Sequence, residues 1–418
     1  MLKDFFQTIK RQKTVCFNKI KTYYLKRKMK NGKKIKVCFE VIFDSVFPAE
    51  SLYQKMLEDK AFEPFILVIP DKSRGNENMF KTMYKTYFSL SAKYKNNVLI
   101  SYDDKKKKFI DFSKKMDIVC SANPYDGMTN KLYSIKYLAT KKNILAVFCN
   151  YFYFGKLLQE LDVISLKEYS LFWLVFAENN ISKFYIKKYS KLSNNQICVC
   201  GYLKMDQLYK YNVPLNKERK KIIIAPHHTI NNIMSNIALS NFLIYSEFFI
   251  DIAKKYTNID FIFRPHPLLF INLEKYWKKE EIENYIAKIH EIPNLVYQNG
   301  GDYLESFAES DALIHDCGSF LAEYFYTNKP QCYLLRTDKL LSDNFTENGI
   351  KMLENVYAAK NKGEIISFID NVVINQNDVM YPKRIIYAKQ NITINYPNSA
   401  EVALNAIKQK ILKGVFND

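Results

Sequence analysis

Four of the five histidines in this 418-residue chain fall where a run of apolar residues stops. In Ile222-Ile-Ile-Ala-Pro-His-His-Thr-Ile230 a strand-like run ends in His227 and His228. In Phe261-Ile-Phe-Arg-Pro-His-Pro267 another ends in Arg264 and His266, with prolines fixing the backbone on either side of the imidazole. In Ser310-Asp-Ala-Leu-Ile-His-Asp-Cys-Gly-Ser-Phe-Leu-Ala-Glu-Tyr324 a third reaches His315 and Asp316, breaks at Gly318-Ser319 and restarts as a helix at Phe320. These residue types suit a phosphate or pyrophosphate. Arg264 offers a planar fork to phosphate oxygens. A neutral histidine such as His227 or His266 orients a phosphate or works as acid or base near pH 7. Gly318 lets the backbone come close to a ligand, and Ser319 offers a hydroxyl while serving as helix N-cap. Glu323, one helical turn beyond Ser319, is placed to accept hydrogen bonds from a ribose or to balance local charge. Asp316 has three open roles: orienting His315, binding substrate or capping the turn. His290 reads as a solvated helix residue.

The elements that must position these residues alternate between strand and helix. Strands are expected at Ile35–Phe43, Phe65–Ile69, Asn97–Ser101, Asp117–Ser121, Ile144–Cys149, Leu171–Ala177 and Gln196–Cys200. Helical stretches lie between them at Pro48–Lys60, Glu77–Leu90, Lys105–Lys114 and Lys131–Thr140. A second strand series runs through Lys221–Ala225, Ile259–Phe263, Asn294–Tyr297, Ala312–Ile314 and Gln331–Leu335. Its helices are expected near Asn241–Tyr256, Leu268–His290, Tyr303–Glu309 and Phe320–Tyr326. Alternation of this kind builds parallel sheets from βαβ units. The fold class is therefore α/β, with two Rossmann-like domains facing a cleft, and ligands bind outside the carboxyl ends of such strands. Residues 35–211 form the N-terminal domain, polar 212–220 a linker, and 221–395 the C-terminal domain. Residues 396–418 carry a last helix, Ser399–Leu412, that could return to the first domain.

Residues 1–34 form a basic leader. Up to residue 36 the chain carries thirteen Lys or Arg against Asp4 alone, so this segment holds most of the net charge of +19. Leu2, Phe5, Phe6, Ile9, Cys16, Phe17, Ile20, Tyr23 and Tyr24 recur at helical spacing between the charges. Such a segment either adsorbs to an anionic membrane surface or packs on the body as an ordinary helix. Nucleic acid is not an expected partner, because the rest of the chain shows no basic stripe with stacking aromatics.

Hydrophobic content of 48% with 15% aromatics places the chain among globular proteins. The longest charge-free apolar stretch, Asn143 to Gly155, is too short to span a bilayer. No signal-peptide pattern is visible, so a cytoplasmic location, peripheral at the inner face of the membrane, is expected. Cys38, Cys120, Cys149 and Cys332 lie in apolar runs, and Cys198-Val-Cys200 has the wrong spacing for structural zinc. No protein-bound metal site and no cofactor are expected, with the divalent-metal dependence of any reaction left open. The glycines spell neither a dinucleotide nor a Walker fingerprint.

The set Ala225-Pro-His-His-Thr229, Phe263-Arg-Pro-His-Pro267, Ser310-Asp-Ala-Leu-Ile-His-Asp-Cys-Gly-Ser319 and Tyr326-Thr-Asn-Lys-Pro330 resembles the CDP-glycerol glycerophosphotransferase family, the teichoic-acid and capsule polymerase type. Gly201-Tyr-Leu-Lys-Met-Asp206 is similar to that family's Gly-x-Pro-Lys/Arg-x-Asp turn, with Leu203 in place of the proline. The resemblance covers about residues 195–335. It implies a GT-B fold with the CDP moiety held by the C-terminal domain. By motif, Arg264, His266, Gly318 and Ser319 would hold the pyrophosphate and glycerol phosphate, with Lys204 reaching a phosphate. The family's His-Gly-Thr-Pro turn, whose histidine serves the acceptor hydroxyl, corresponds here to Phe148-Cys-Asn-Tyr-Phe-Tyr-Phe-Gly155, which has no histidine. Tyr151 or Tyr153 would fill that slot on the acceptor side, although tyrosine is a poor base near pH 7.

The expected function is transfer of glycerol phosphate, or a related alditol or sugar phosphate, from a CDP-activated donor to a surface glycan, with release of CMP. The alternatives are a GT-B glycosyltransferase using a nucleotide sugar, and a non-catalytic scaffold of a capsule assembly complex.

Overall fold

The computed structural model describes residues 2–44, 47–211, 218–231 and 237–415, with side chains from residue 11 onward apart from that of Arg74. Most of the expected linker, 212–217, lies outside the described residues. The chain divides into two compact units: Met1–Phe152, Leu161–Asp206 and Ile394–Asp418 form the first, and Tyr153–Glu160 with Gln207–Thr393 form the second.

The first unit is built on β1 (Ile35–Val41), β2 (Phe62–Val68) and β3 (Val98–Ile100), a short hairpin of β4 (Tyr102–Asp103) and β5 (Lys108–Phe109), and then β6 (Ile118–Ser121), β7 (Leu145–Phe148), β8 (Leu174–Ala177) and β9 (Ile197–Val199). Seven of these strands form a parallel sheet in the order β3-β2-β1-β6-β7-β8-β9. Their near-continuous apolar runs reflect burial on both faces, as parallel sheets require. Where helix was expected at Lys105–Lys114, the hairpin stands instead. The Asp103 carboxylate accepts the backbone N–H groups of Lys105 and Lys106, each at 3.0 Å, and Lys107 takes a φ of 48°. That local turn prevails over helix formation by four adjacent lysines that repel one another.

The helix Leu2–Lys30 docks on this unit. Thr14, Asn18 and Leu25 are buried, while Phe17, Ile20, Tyr23 and Tyr24 stay exposed. Lys21 and Lys28 reach the Asp117 carboxylate at 3.0 and 2.5 Å, which also accepts the Lys36 N–H at 3.0 Å. Burial alone would raise Asp117, but these partners hold its carboxyl below the usual range. The leader is thus a packed helix with an exposed apolar stripe. No helix among the described residues is long and apolar enough to cross a membrane.

The helix Ser399–Lys413 completes the same core through Ala403, Leu404, Ile407 and Ile411. The Gly201–Asp206 turn is built to receive it. A Cβ on Gly201 (φ 94°) would lie 2.2 Å from the Ile394 carbonyl oxygen, and Asp206 accepts the Ala400 N–H at 2.7 Å.

The second unit carries β10 (Lys220–Ala225), β11 (Ile259–Phe263), β12 (Leu295–Tyr297), β13 (Ala312–His315), β14 (Gln331–Leu334) and β15 (Tyr357–Ala359). They form a parallel sheet in the order β12-β11-β10-β13-β14-β15, the doubly wound arrangement whose strand order reverses between β10 and β13. Its core gathers Ile222, Ile224, Phe261, Phe263, Ile314 and Leu334 with the helix Phe242–Lys255. Two segments depart from the expected 35–211 boundary, residues 207–211 and residues 153–160. Residues 153–160 pack in the second unit, where Thr346 Oγ1 donates to the Gly155 carbonyl at 2.7 Å and the Thr346 N–H to the Lys156 carbonyl at 3.0 Å. Among the elements that periodicity did not signal are the helices Leu158–Ser165 and Asn180–Tyr189 and the three-residue strand β15.

Candidate active site

The strand ends of the second unit bring three of the histidine motifs together. β10 delivers His227 and His228, β11 delivers Arg264 and His266, and β13 delivers His315, Asp316 and the Gly318 turn. The backbone locks these ends in register: the Arg264 N–H donates to the Ile224 carbonyl at 2.8 Å and the His266 N–H to the Pro226 carbonyl at 3.0 Å.

Three imidazoles form one cluster. Ring centres are 4.4 Å apart for His227 and His228, 4.1 Å for His228 and His266, and 5.2 Å for His227 and His266. Their nitrogens are close enough to share a metal ion, but the hydrogen bonds commit them otherwise. His266 Nδ1 accepts the Leu268 N–H at 3.1 Å. His227 Nδ1 lies 2.8 Å from Thr229 Oγ1, which itself accepts the Leu239 N–H and so turns its proton toward the ring. His228 Nδ1 lies 3.0 Å from Asn272 Nδ2, and that amide is oriented by donating to the His228 carbonyl at 3.1 Å. With each Nδ1 accepting, each neutral ring carries its proton on Nε2. Such rings are hydrogen-bond donors, suited to an anion. Burial drives His227 well below its usual value, with the neighbouring histidines adding to the shift, and lowers His228 to about 4, so both rings are neutral at pH 7.

Arg264 supplies the charge. It is 6% exposed, and among the described residues it has no ion pair. Its guanidinium donates to Gln298 Oε1 at 2.6 Å and to the Gly301 carbonyl, and lies 5.5 Å from the ring centre of Tyr303. Burial lowers its pKa from a value so high that the group stays charged. The Asp302 carboxylate acts on it without forming an ion pair, and a buried cation that lacks a direct partner is costly unless an anion joins it.

Several sequence expectations change here. Asp316 is wholly buried and accepts the backbone N–H groups of His227 and Asn241, each at 2.6 Å. It ties β13 to the His227 turn and faces neither His315 nor open space. His315 is also fully buried, with Nδ1 accepting the Cys317 N–H at 3.2 Å and Nε2 2.9 Å from Gln331 Oε1, which makes it structural. Ser319 is not the N-cap. Cys317 holds that place in extended conformation and Gly318 opens the helix Gly318–Glu323, leaving the half-buried Ser319 inside its first turn. Gly318 is buried against the protein's own side chains: a Cβ there would meet Leu157 Cδ1 at 2.6 Å and Leu239 Cδ1 at 3.5 Å, so its missing side chain makes room for this packing. Glu323 is fully buried and accepts the Tyr303 hydroxyl, so it stands behind Tyr303 and Arg264 rather than against a ribose.

The remaining residues lie elsewhere. Lys204 belongs to the first unit, half-buried in the turn at Leu203–Tyr211. Tyr151 is also in the first unit, where its carbonyl accepts the Tyr202 hydroxyl at 3.1 Å. Tyr153 falls in the second unit, fully buried, with its hydroxyl donating to the Asn391 carbonyl at 2.9 Å. That burial removes Tyr153 from any acceptor-side role. Sequence reasoning missed Gln298 and Tyr303, which hold Arg264, and Lys156, a buried cation whose charge reaches His227. No motif surrounds them, and only the alternation of strand and loop pointed to their neighbourhood.

No protein-family model matches the chain, and no curated protein does. Solved structures do match. Wall teichoic acid polymerase TagF superposes with a TM-score of 0.58 at 14% identity, covering 100% of both chains, and a related TagF structure was soaked with CDPG. The UDP-GlcNAc 2-epimerase of Neisseria meningitidis, bound to UDP-GlcNAc, gives a TM-score of 0.53 at 13% identity over 90% of this chain and 100% of its own. MnaA of S. aureus with UDP gives 0.57 at 15% identity, covering 92% and 99%. Two Rossmann-like units with these sheet orders, matched over nearly the full length of such structures, give the chain a fold of the GT-B type.

Proposed function

We propose that the chain transfers glycerol phosphate, or a related alditol or sugar phosphate, from a CDP-activated donor to a surface glycan of the capsule or teichoic-acid kind. One observation carries this reading: Arg264, buried without an ion pair, stands two residues from the His266 end of a cluster of neutral imidazole donors. A pyrophosphate would supply the missing negative charge and accept the Nε2–H groups. The acceptor hydroxyl oxygen bonds to the β-phosphorus as the bond from that phosphorus to the bridging oxygen breaks; CMP leaves on that oxygen, and the hydroxyl proton passes to solvent. Charge building on the bridging oxygen is stabilised by Arg264 and the ring N–H donors, which are already fixed in place. His227 serves as a phosphate-orienting donor, because its lowered pKa makes it a weak base. The motif resemblance and the likeness to TagF support this choice of donor. Lys204 reaching a phosphate, Tyr151 on the acceptor side and the helix Leu2–Lys30 lying on an anionic membrane belong to the same reading.

A second reading, chemistry on a UDP-sugar, is favoured by the likeness to the UDP-GlcNAc 2-epimerases. Calorimetry with CDP-glycerol, CDP-ribitol, CMP and UDP-GlcNAc, followed by product analysis, separates the two. CDP-alditol binding with CMP release supports the first. Binding of UDP-GlcNAc alone, with UDP released or a sugar epimer formed, overturns it.

A further inference from the structure

The first unit contains a second concave site. A cavity of about 420 Å³ opens between the helix Leu2–Lys30 and the end of the helix Ser399–Lys413, floored by Trp173. Its size lies within the ~300–1,000 Å³ of ordinary small-molecule sites. Lys19, Lys26, Lys410 and Lys413 all line it, and its lining holds no Asp or Glu among the described residues. By contrast, Lys21 and Lys28 of the same helix turn to Asp117, so the cavity receives lysines that this carboxylate does not neutralise.

Two buried groups mark the cavity as more than a set of surface lysines. Lys410 is 4% exposed; its ammonium donates to the Asn195 carbonyl and lies 5.3 Å from the Trp173 ring centre. Burial lowers it to about 8, so it keeps its charge at neutral pH and gains from a nearby anion. Asn18 is 8% exposed as a residue and lines the cavity. An amide offers N–H donors to an anion. Tyr23 on the rim and the exposed Phe17, Ile20 and Tyr24 nearby offer apolar surface to whatever the anion is attached to.

We propose that this cavity binds a phosphate ester, its oxygens taken by Lys26, Lys410 and Lys413 and by the Asn18 amide. The site is separate from the Arg264 cluster and stands whether or not the donor is CDP-linked. The same chemistry has two sources, the headgroup of an anionic phospholipid and a soluble alditol phosphate.

The test uses the full chain in two arms. One measures co-sedimentation with vesicles of phosphatidylcholine alone and of phosphatidylcholine with phosphatidylglycerol. The other measures calorimetric binding of glycerol 3-phosphate and of inorganic phosphate. Wild type is compared with Asn18→Leu, Lys26→Glu and Lys410→Met, and with Lys279→Glu, which makes the same charge change on an exposed helix of the second unit. Binding is expected in at least one arm, weakened by about tenfold in Lys26→Glu and Lys410→Met and unchanged in Lys279→Glu. Vesicle binding alone identifies the lipid headgroup, and soluble binding identifies the free ester. If Lys410→Met fails to fold, Lys26→Glu on the helix surface still decides. Absence of binding in both arms, or equal loss in Lys279→Glu, overturns the proposal.

Discussion

The Asp316 carboxylate accepts the backbone N–H of His227 at 2.6 Å, joining the ends of β13 and β10 beneath the imidazole cluster. Its other oxygen takes the Asn241 N–H at the same distance, and burial pushes the carboxyl up to about 7. Asp316→Asn replaces one of these acceptors with a donor and leaves a buried N–H unpaired, at a cost of about 1–3 kcal/mol. Thermal unfolding and ligand calorimetry should show lower stability together with weaker binding. Full retention of both would remove Asp316 from the support of His227.

Arg264→Ala is expected to weaken the nucleotide donor roughly ten- to a hundredfold, the value of a charged hydrogen bond. Arg264→Lys should not restore it, because Gln298 and the Gly301 carbonyl position a two-pronged guanidinium. Titration of both variants with the donor identified for the wild type checks this. An unchanged affinity in Arg264→Ala places the anion elsewhere.

Gly349→Ala tests the docking of residues 153–160. A Cβ at Gly349 would lie 2.1 Å from the Lys156 carbonyl oxygen, and backbone cannot move aside as a side-chain tip can. A loss of about 3 kcal/mol or more in chemical denaturation is expected. At Gly363 the nearest contact is the Asn361 side chain at 3.2 Å, and Gly363→Ala there should change stability by under about 1 kcal/mol. Equal effects at the two positions would count against the packed segment.

Acid should destabilise the fold partly through His315. Burial lowers this ring to about 4, against ~6.5 in an unfolded chain. Below that unfolded value, the unfolded state takes up a proton that the folded state refuses, so stability falls as pH drops toward 4. The slope is up to ~1.4 kcal/mol per pH unit for one group. His228 acts in the same direction, whereas Asp316, raised to about 7, acts in the opposite one. His315→Gln removes one proton from this linkage. Its urea midpoints between about pH 6 and 4.5 should therefore vary less steeply than those of the wild type, and parallel profiles would show that His315 does not titrate this way.

The strand ends were legible in the sequence because buried parallel strands are continuous apolar runs, and a charged or imidazole residue stops them visibly. His227, Arg264 and His266 stood out for that reason. The direction of a side chain at such an end was not legible. Asp316 and Glu323 have the composition of ligand-facing acids, but which way each points depends on partners far along the chain, Asn241 and Tyr303. Burial of Tyr153 is of the same kind, since its hydroxyl finds a carbonyl at Asn391. The Gly201–Asp206 turn reads as a substrate motif, yet two of its residues are spent on receiving the helix Ser399–Lys413.

That late helix sets an order of events during synthesis. Its Ala403, Leu404, Ile407 and Ile411 fill the same core as β1 and β2, yet they leave the ribosome only after the whole second unit has been made. Until then the nascent first sheet carries an uncovered apolar face, which a chaperone would recognise and a neighbouring chain could occupy. The second unit needs only residues 153–160 from upstream and can close first. Maturation would then run from the second unit back to the first, against the direction of translation.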